Sequence, residues 1–447
     1  MIFKVENLGA IQHAEIDLSK DLILFCGHNN TGKTYLINTI YHLLLAEFKT
    51  LDFDKAVNTQ YNGQRAKSID NIIEFVDAYK NLDSIFQDLV DACLVEFTEF
   101  LGSIEKTQQP KFSLVISDDE RHRKLLAMSF NVQFQESHWV QESHWERIQK
   151  YEKKSGSRKI TFGEEETINC MLLGSAIFPI MLRSRCMFFP VERNLSIFSK
   201  ELSLYKAKLF EKLLVSGHDQ TDLLDLANRR VNRYSKPIRD YLGMIEDLAN
   251  LAKNTSEFNK LAEELETEIL GGKIHISQYG DLSYQPSSAQ NIALGMELSS
   301  STVGSLSSLV FYLRHLAKKG DTLIIDEPEL SLHPDNQRLI ARFFGRLINA
   351  GFKLIVSTHS DYIVREINNL IMLSKKSRKT AGLRKKYGYT QAQVLQPQQI
   401  GAYLFKRGEP SPISIEVGET GLEISTIDEV VADLNQSSQD IYFSLFD

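Results

Sequence analysis

The sequence predicts an α/β fold interrupted by a largely helical insertion. Three observations carry this. Apolar runs at 22–26, 322–326 and 353–358 are each followed by residues with helical spacing. The first run ends in GHNNTGKT, where glycines and a lysine stand between a strand and a helix. Much of the intervening chain has apolar residues three or four apart.

Taken in order, residues 2–8 and 14–18 alternate around Gly9-Ala10 and predict a hairpin leading to the strand at 22–26. A helix is expected from 33 to 48, which closes the first segment, 1–48. Residues 49–185 form the insertion. NIIEFVDAYKNLDSIFQDLVDACLVEFTEFLGSI has helical spacing, whereas 111–119 and 125–136 look like strands. The duplicated hexapeptide at 135–146 reads as a loop or hairpin tip, since its two histidines lack a third ligand nearby. Residues 186–206, beginning CMFFPVERN, predict a short buried strand, a proline break and a polar turn that return to the first body. From 207 to 272 the pattern predicts a helical arm. Ile238, Tyr241, Leu242, Ile245, Leu248 and Ala252 make one stripe, and Phe258, Leu261, Leu265 and Ile269 another. Gly271-Gly272 ends it. The last segment, 273–447, predicts a hairpin around Gly280, helices near 303–319, 334–350 and 360–370, and strands at 401–407 and 411–417. The basic run 374–386 reads as a solvated loop, and the tail from 425 as a closing amphipathic helix.

Composition narrows the class. The chain has 447 residues, 43% hydrophobic and 24% charged, with a formal net charge of -7. A negative surface attracts nucleic acid only through a local basic patch. Cys26, Cys93, Cys170 and Cys186 lie far apart with no C-x-x-C pair, which argues against zinc and a disulfide framework. The strand-like, charged N-terminus is unlike a signal peptide. No run approaches the about 18 apolar residues of a membrane span. A cytoplasmic protein without a membrane partner is expected.

Three segments carry chemistry. Gly27, Gly32, Lys33 and Thr34 fill the fixed places of G-x-x-x-x-G-K-[ST]. The backbone through Gly27, Asn29, Asn30, Thr31 and Gly32 can wrap a polyphosphate, Lys33 supplies charge, and the Thr34 hydroxyl can hold Mg²⁺. The run 322–326 ends in Asp326-Glu327, two carboxylates that are costly at the end of a buried strand unless they act. Asp326 is placed to hold Mg²⁺ through water, and Glu327 to polarise an attacking water. The run 353–358 leads to His359, whose imidazole can donate to a phosphate oxygen.

In this order the three segments resemble the ABC-type ATPase heads, a group of P-loop NTPases. Residues 27–34 match Walker A, residues 323–327 Walker B with its catalytic glutamate, and His359 the switch histidine. DEPELSLHP and STHSDYI are closer to the RecF/OLD-like branch than to transporters, and ELSLHP stands where the D-loop would be. FFPVERN resembles a segment that recurs in this branch, which makes Arg193 a candidate contact in the ATPase lobe. The resemblance implies ATP and Mg²⁺, and a signature loop supplied by a second subunit. MELSSSTVGSLSSL lies where that loop belongs, and Ser300 and Ser301 resemble the serine pair of the branch. Gln133 and Gln135 are the candidates for its Q-loop glutamine.

One copy of each motif per chain implies a homodimer or higher homo-oligomer. After the His359 helix no acidic metal cluster follows, so the chain resembles an ATPase without its own nuclease. By analogy with the ATPase subunits of anti-phage systems such as Septu and PARIS, a separate nuclease subunit, of HNH type in Septu, is the expected partner. The alternative is a RecF-like ATPase that binds DNA directly in repair or chromosome maintenance, with the basic run as a possible nucleic-acid contact.

Overall fold

The computed structural model describes residues 1–44, 111–115, 185–193 and 235–446, apart from 279 and 290. The chain divides into two compact units. One comprises 1–4, 43–96 and 112–184, and the other 5–42, 97–111 and 185–447. The second contains the chemistry.

Its centre is a six-stranded sheet. Strand β1 (Ile2–Leu8) and β2 (Ile11–Asp17), joined at Gly9-Ala10, belong with β4 (Lys111–Val115) to a separate small sheet of order β2-β1-β4. The large sheet has the order β12-β11-β3-β10-β9-β5, with β3 (Leu22–Gly27), β5 (Cys186–Phe189), β9 (Thr322–Asp326), β10 (Lys353–Thr358), β11 (Ile400–Phe405) and β12 (Ile413–Ile415). Every pair is parallel except β11 with β12. β3 and β9 are buried along their whole length, and all but the first residue of β10 is buried. Strands covered on both faces need continuous apolar runs rather than alternation, which is how these three read in sequence.

Register decides where function sits. Thr358 pairs with Cys26 and Ser357 with Asp326, so the carboxyl ends of β3, β9 and β10 share one edge. Ligands of open α/β sheets bind at that edge. Helix α1 (Lys33–Leu44) starts there after β3.

The helices α2 (Lys236–Glu246), α3 (Leu248–Leu251) and α4 (Asn259–Leu265) run into a short π-helical turn, Glu266–Leu270. These residues were expected to form an arm. Where described, they contribute Tyr241, Ile245, Leu248, Ala262 and Leu265 to the core under the large sheet. Gly271 ends the run at φ +63°, in the left-handed region that glycine enters without a Cβ penalty. β6 (Gly272–Ile276), β7 (Leu282–Pro286) and β8 (Leu294–Gly295) then form an antiparallel sheet turning at Gly280. Glu266 is buried and ties the two parts together. It accepts from Ile274 N–H at 2.7 Å and pairs with Arg314 at 2.5 Å.

Helices α5 (Ser301–His315), α6 (Pro334–Asn349) and α7 (Asp361–Met372) complete the core. Two expectations are corrected. The basic run is not a loop but helix α8 (Arg378–Tyr387). Ser377 caps its start by accepting from Thr380 N–H at 3.0 Å, Gly388 closes it at φ +71°, and lysines and arginines sit at its favourable C-terminal end. The tail does form a helix, α9 (Ser425–Phe446), but apart from the pairing of Glu429 with Lys406 at 3.8 Å it leaves its described side chains open: each from 429 to 446 is exposed. Among the described residues no helix is long and apolar enough to cross a membrane.

Candidate ATP-binding and hydrolysis site

The loop after β3 is shaped by two glycines that nothing larger could replace. Gly27 has φ +120°, and a Cβ there would lie 2.0 Å from the Phe405 carbonyl oxygen. Gly32 has φ +95°, and its Cβ would meet Ile11 at 2.8 Å. Asn30 is left-handed at φ +62°, a conformation asparagine tolerates better than most residues. Asn29 and Asn30 are exposed at the loop tip, and Thr31 fixes the turn by donating to His28 O at 2.8 Å. Lys33 is buried, and its ammonium donates to the carbonyl of Gly27 at 3.1 Å and to that of His28. Burial pulls its pKa below the usual value against the opposing pull of Glu327 and Asp326. The loop therefore holds a desolvated cation on two neutral carbonyls, an arrangement that a phosphate would improve.

Thr34 and Asp326 meet beside it. The Thr34 hydroxyl lies 3.4 Å from Asp326 Oδ2, and Ser357 donates to Asp326 Oδ1. Burial raises the Asp326 pKa, offset in part by the Ser357 bond. A hydroxyl and a carboxylate at this spacing are the hard oxygen donors that suit Mg²⁺, so the residues present fit that ion. Among the described residues no cluster of three or more His, Cys, Asp or Glu could hold a metal by itself. The histidines of the duplicated hexapeptide, and Gln133 and Gln135, lie outside the described residues.

Glu327 is the conformational outlier of the site. Its φ is +47°, a costly left-handed conformation for glutamate. Two neighbours enforce it. The Glu327 N–H donates to Ser357, at 3.1 Å from Oγ and 3.2 Å from the carbonyl, and its own carbonyl accepts from Arg193 at 2.8 Å. The carboxylate thereby reaches His359, with Oε1 3.2 Å from Nε2. The His359 hydrogen bond is the largest influence holding the Glu327 carboxyl below the ordinary range, so it is ionised near neutral pH.

Sequence reasoning missed part of what builds this array. Glu329 accepts from the Thr358 hydroxyl at 2.9 Å and from His359 N–H at 2.5 Å, which fixes the backbone that carries the imidazole. Burial raises its pKa, and its second oxygen is buried with no hydrogen-bond partner. Its place in ELSLHP was a signal, but one shared with a solvated turn. Arg193 is 3% exposed and gives every donor group to main-chain carbonyls: Ser305 at 3.1 Å, Pro190 at 3.0 Å, Asp326 at 2.7 Å and Glu327 at 2.8 Å. Tyr241 accounts for the Arg193 carbonyl, donating to it at 2.7 Å.

The structure thus brings Lys33, Thr34, Asp326, Glu327 and His359 together. Ser300 and Ser301 stand apart from this group in their bonding. Both are exposed at the start of α5, where Ser300 accepts from Val303 N–H at 3.3 Å.

A phosphate-loop pattern, a hard-oxygen pair and a carboxylate–imidazole pair thus share one sheet edge, the arrangement of a candidate nucleotide site. Residues 1–364 match the family model AAA_15, described as AAA ATPase domain, and the chain belongs to that family. No curated protein matches it. Among solved structures it is similar to the Smc head domain with an extended coiled coil bound to the C-terminal domain of ScpA, from Pyrococcus furiosus. That match has 12% identity, 97% of this chain and 98% of the other covered, and a TM-score of 0.36. The SMC head domain from Thermotoga maritima matches at 9% identity, with 93% and 98% covered and a TM-score of 0.32.

Proposed function

We propose that the chain hydrolyses ATP with Mg²⁺ in a site completed by a second copy, and that it is the regulatory ATPase subunit of an anti-phage assembly whose effector is a separate nuclease. The observation that carries the first part is the convergence of Thr34 with Asp326, and of Glu327 with His359, beside the loop of Lys33. In this reading Lys33 leaves the carbonyls of Gly27 and His28 for the β- and γ-phosphates, while the N-terminus of α1 adds its partial positive charge. Thr34 and Asp326 would hold Mg²⁺, which when bound neutralises charge on the phosphate oxygens. Glu327, ionised, accepts a hydrogen bond from the attacking water and aims it at the γ-phosphorus. His359 holds the Glu327 carboxylate at 3.2 Å and would donate to a γ-phosphate oxygen.

Ser300 and Ser301 support a trans arrangement. They sit exposed at the start of a 15-residue helix that is buried from Val303 to Leu313, so hydroxyls and helix N–H groups are offered outward on a rigid base. Mixing tests this. A Lys33→Ala chain and a Ser300→Arg, Ser301→Arg chain should each be inactive, while their mixture regains part of the turnover through the one intact composite site. A monomer that hydrolyses ATP at full rate refutes the arrangement.

The defence role rests on the RecF/OLD-like wording of DEPELSLHP and STHSDYI and on the analogy with Septu and PARIS. The RecF-like alternative, direct DNA binding in repair, predicts DNA-stimulated turnover by the chain alone.

A further inference from the structure

We propose that the C-terminal helix α9 of one copy docks on the basic helix α8 of a second copy, independently of nucleotide. Each described side chain of α9 from 429 to 446 is exposed. Val430, Leu434, Ile441 and Leu445 fall at i, i+4, i+11 and i+15, one stripe of the helix, and are 59% to 70% exposed. Exposed Tyr442 and Phe446 widen it. Helices in proteins draw most of their stability from packing an apolar face, and an open apolar stripe marks a contact surface.

Charge selects the occupant. From 367 to 408 the chain has nine Lys/Arg and no Asp/Glu; from 409 to 447 it has nine Asp/Glu and no Lys/Arg. On α9 the acids Glu429, Asp433 and Asp440 recur at i, i+4 and i+11, a row beside the apolar stripe. Two α9 helices packed together would oppose like charges. Helix α8 offers the complement: exposed Arg378, Lys379, Lys385 and Lys386 beside exposed Leu383 and Tyr387 at i and i+4. Seating α9 on α8 pairs opposite signs and covers apolar surface on both.

Among the described residues of one chain, the tail touches the basic segment only near its start, through Lys375 with Glu419 at 3.3 Å and Lys406 with Glu429 at 3.8 Å, while the other described side chains of α9 stay exposed. A second copy supplies the same basic helix and permits a reciprocal, two-fold contact with both α9 helices seated.

The test uses the full chain without nucleotide, in sedimentation velocity at about 50 mM and about 500 mM salt, a range over which surface ion pairs are progressively screened. The wild-type chain should dimerise at low salt, with at least a tenfold weaker association at high salt. Lys379→Glu, Lys385→Glu, Lys386→Glu in one chain, and Asp433→Lys, Asp440→Lys in another, should each give monomers of unchanged circular dichroism. Their equimolar mixture should dimerise again, since both contacts are then complementary. Four results overturn the proposal: a wild-type monomer at low salt, dimers that survive either reversal, a mixture that stays monomeric, or loss of nucleic-acid binding in the α8 variant with association unaltered. Nucleotide is absent and no residue of the phosphate loop or acid pair is altered, so this outcome is separate from that of the ATPase reading.

Discussion

The least replaceable side chain of the proposed hydrolysis site is Glu327, held at φ +47° with its carboxylate on His359. Glu327→Gln keeps the shape but removes the negative acceptor for a water proton. Turnover should fall on the order of 100-fold or more, the usual worth of a positioned base, while ATP binding persists. Steady-state phosphate release and equilibrium binding of a fluorescent ATP analogue read the two separately; wild-type turnover would assign the base elsewhere. Lys33→Ala should do the reverse and lose binding itself, because the loop keeps its backbone donors but loses its one buried cation. Arg193 acts one step back. It touches the carbonyls of Asp326 and Glu327, not the phosphate loop, so Arg193→Lys should lower kcat at least tenfold with little change in ATP affinity. A lysine cannot serve four carbonyls as a planar guanidinium does. A proportional loss of kcat and affinity would make Arg193 merely a folding residue.

At the scale of elements, α6 and α7 are joined through one buried carboxylate. Glu366 on α7 meets Arg338 at 3.0 Å and Arg342 at 2.5 Å, both on α6, and the Arg342 guanidinium lies 3.9 Å over the Tyr389 ring. Burial, the largest influence, would raise the Glu366 pKa; hydrogen bonds from Tyr389, Arg342 and Arg338 together outweigh it and hold the carboxyl below the ordinary range. A folded pKa below the unfolded value of about 4.3 gives stability that is present above it and lost as pH falls through the folded value. Glu366→Gln should therefore lower stability at pH 7 by about 3 kcal/mol, as loss of one partner of a buried pair does. The deficit should begin to shrink as pH falls past the unfolded value of about 4.3 and go on shrinking as it falls through the lower folded one. Melting curves from pH 7 to pH 3 check both halves, and a deficit constant with pH would show that packing, not charge, is at work.

The same scale shows what was legible in the sequence. β3, β9 and β10 were, because strands buried on both faces are continuous apolar runs and each stops at a residue with chemistry. The place of β5 at the sheet edge beside β9 was not, since pairing partners leave no local signature. Arg193 could be suspected but its role could not be read, because its partners are carbonyls, present at every residue. α8 was misread as a loop because its charge drew attention from its caps, Ser377 and Gly388.

For the whole molecule, the proposed function and its alternative differ in what would control the ATPase: a protein partner in one, DNA in the other. The net charge of -7 hides two blocks, one wholly basic from 367 to 408 and one wholly acidic from 409 to 447. A DNA-activated enzyme would need the basic block open to phosphates. If the acid tail of a second copy covers it, DNA competes with a polyanion already in place and loses further ground as salt rises. The full chain should accordingly turn over ATP at a rate changed less than about twofold by duplex DNA at physiological salt, where charge contacts are screened within about 8 Å. Deleting 425–447 uncovers the basic helix, and should raise DNA retention several-fold without altering basal turnover. ATPase assays with and without DNA, run on both chains beside a gel-shift titration, measure these together. Stimulation of the full chain fivefold or more by DNA alone would replace the partner-controlled reading with the RecF-like one.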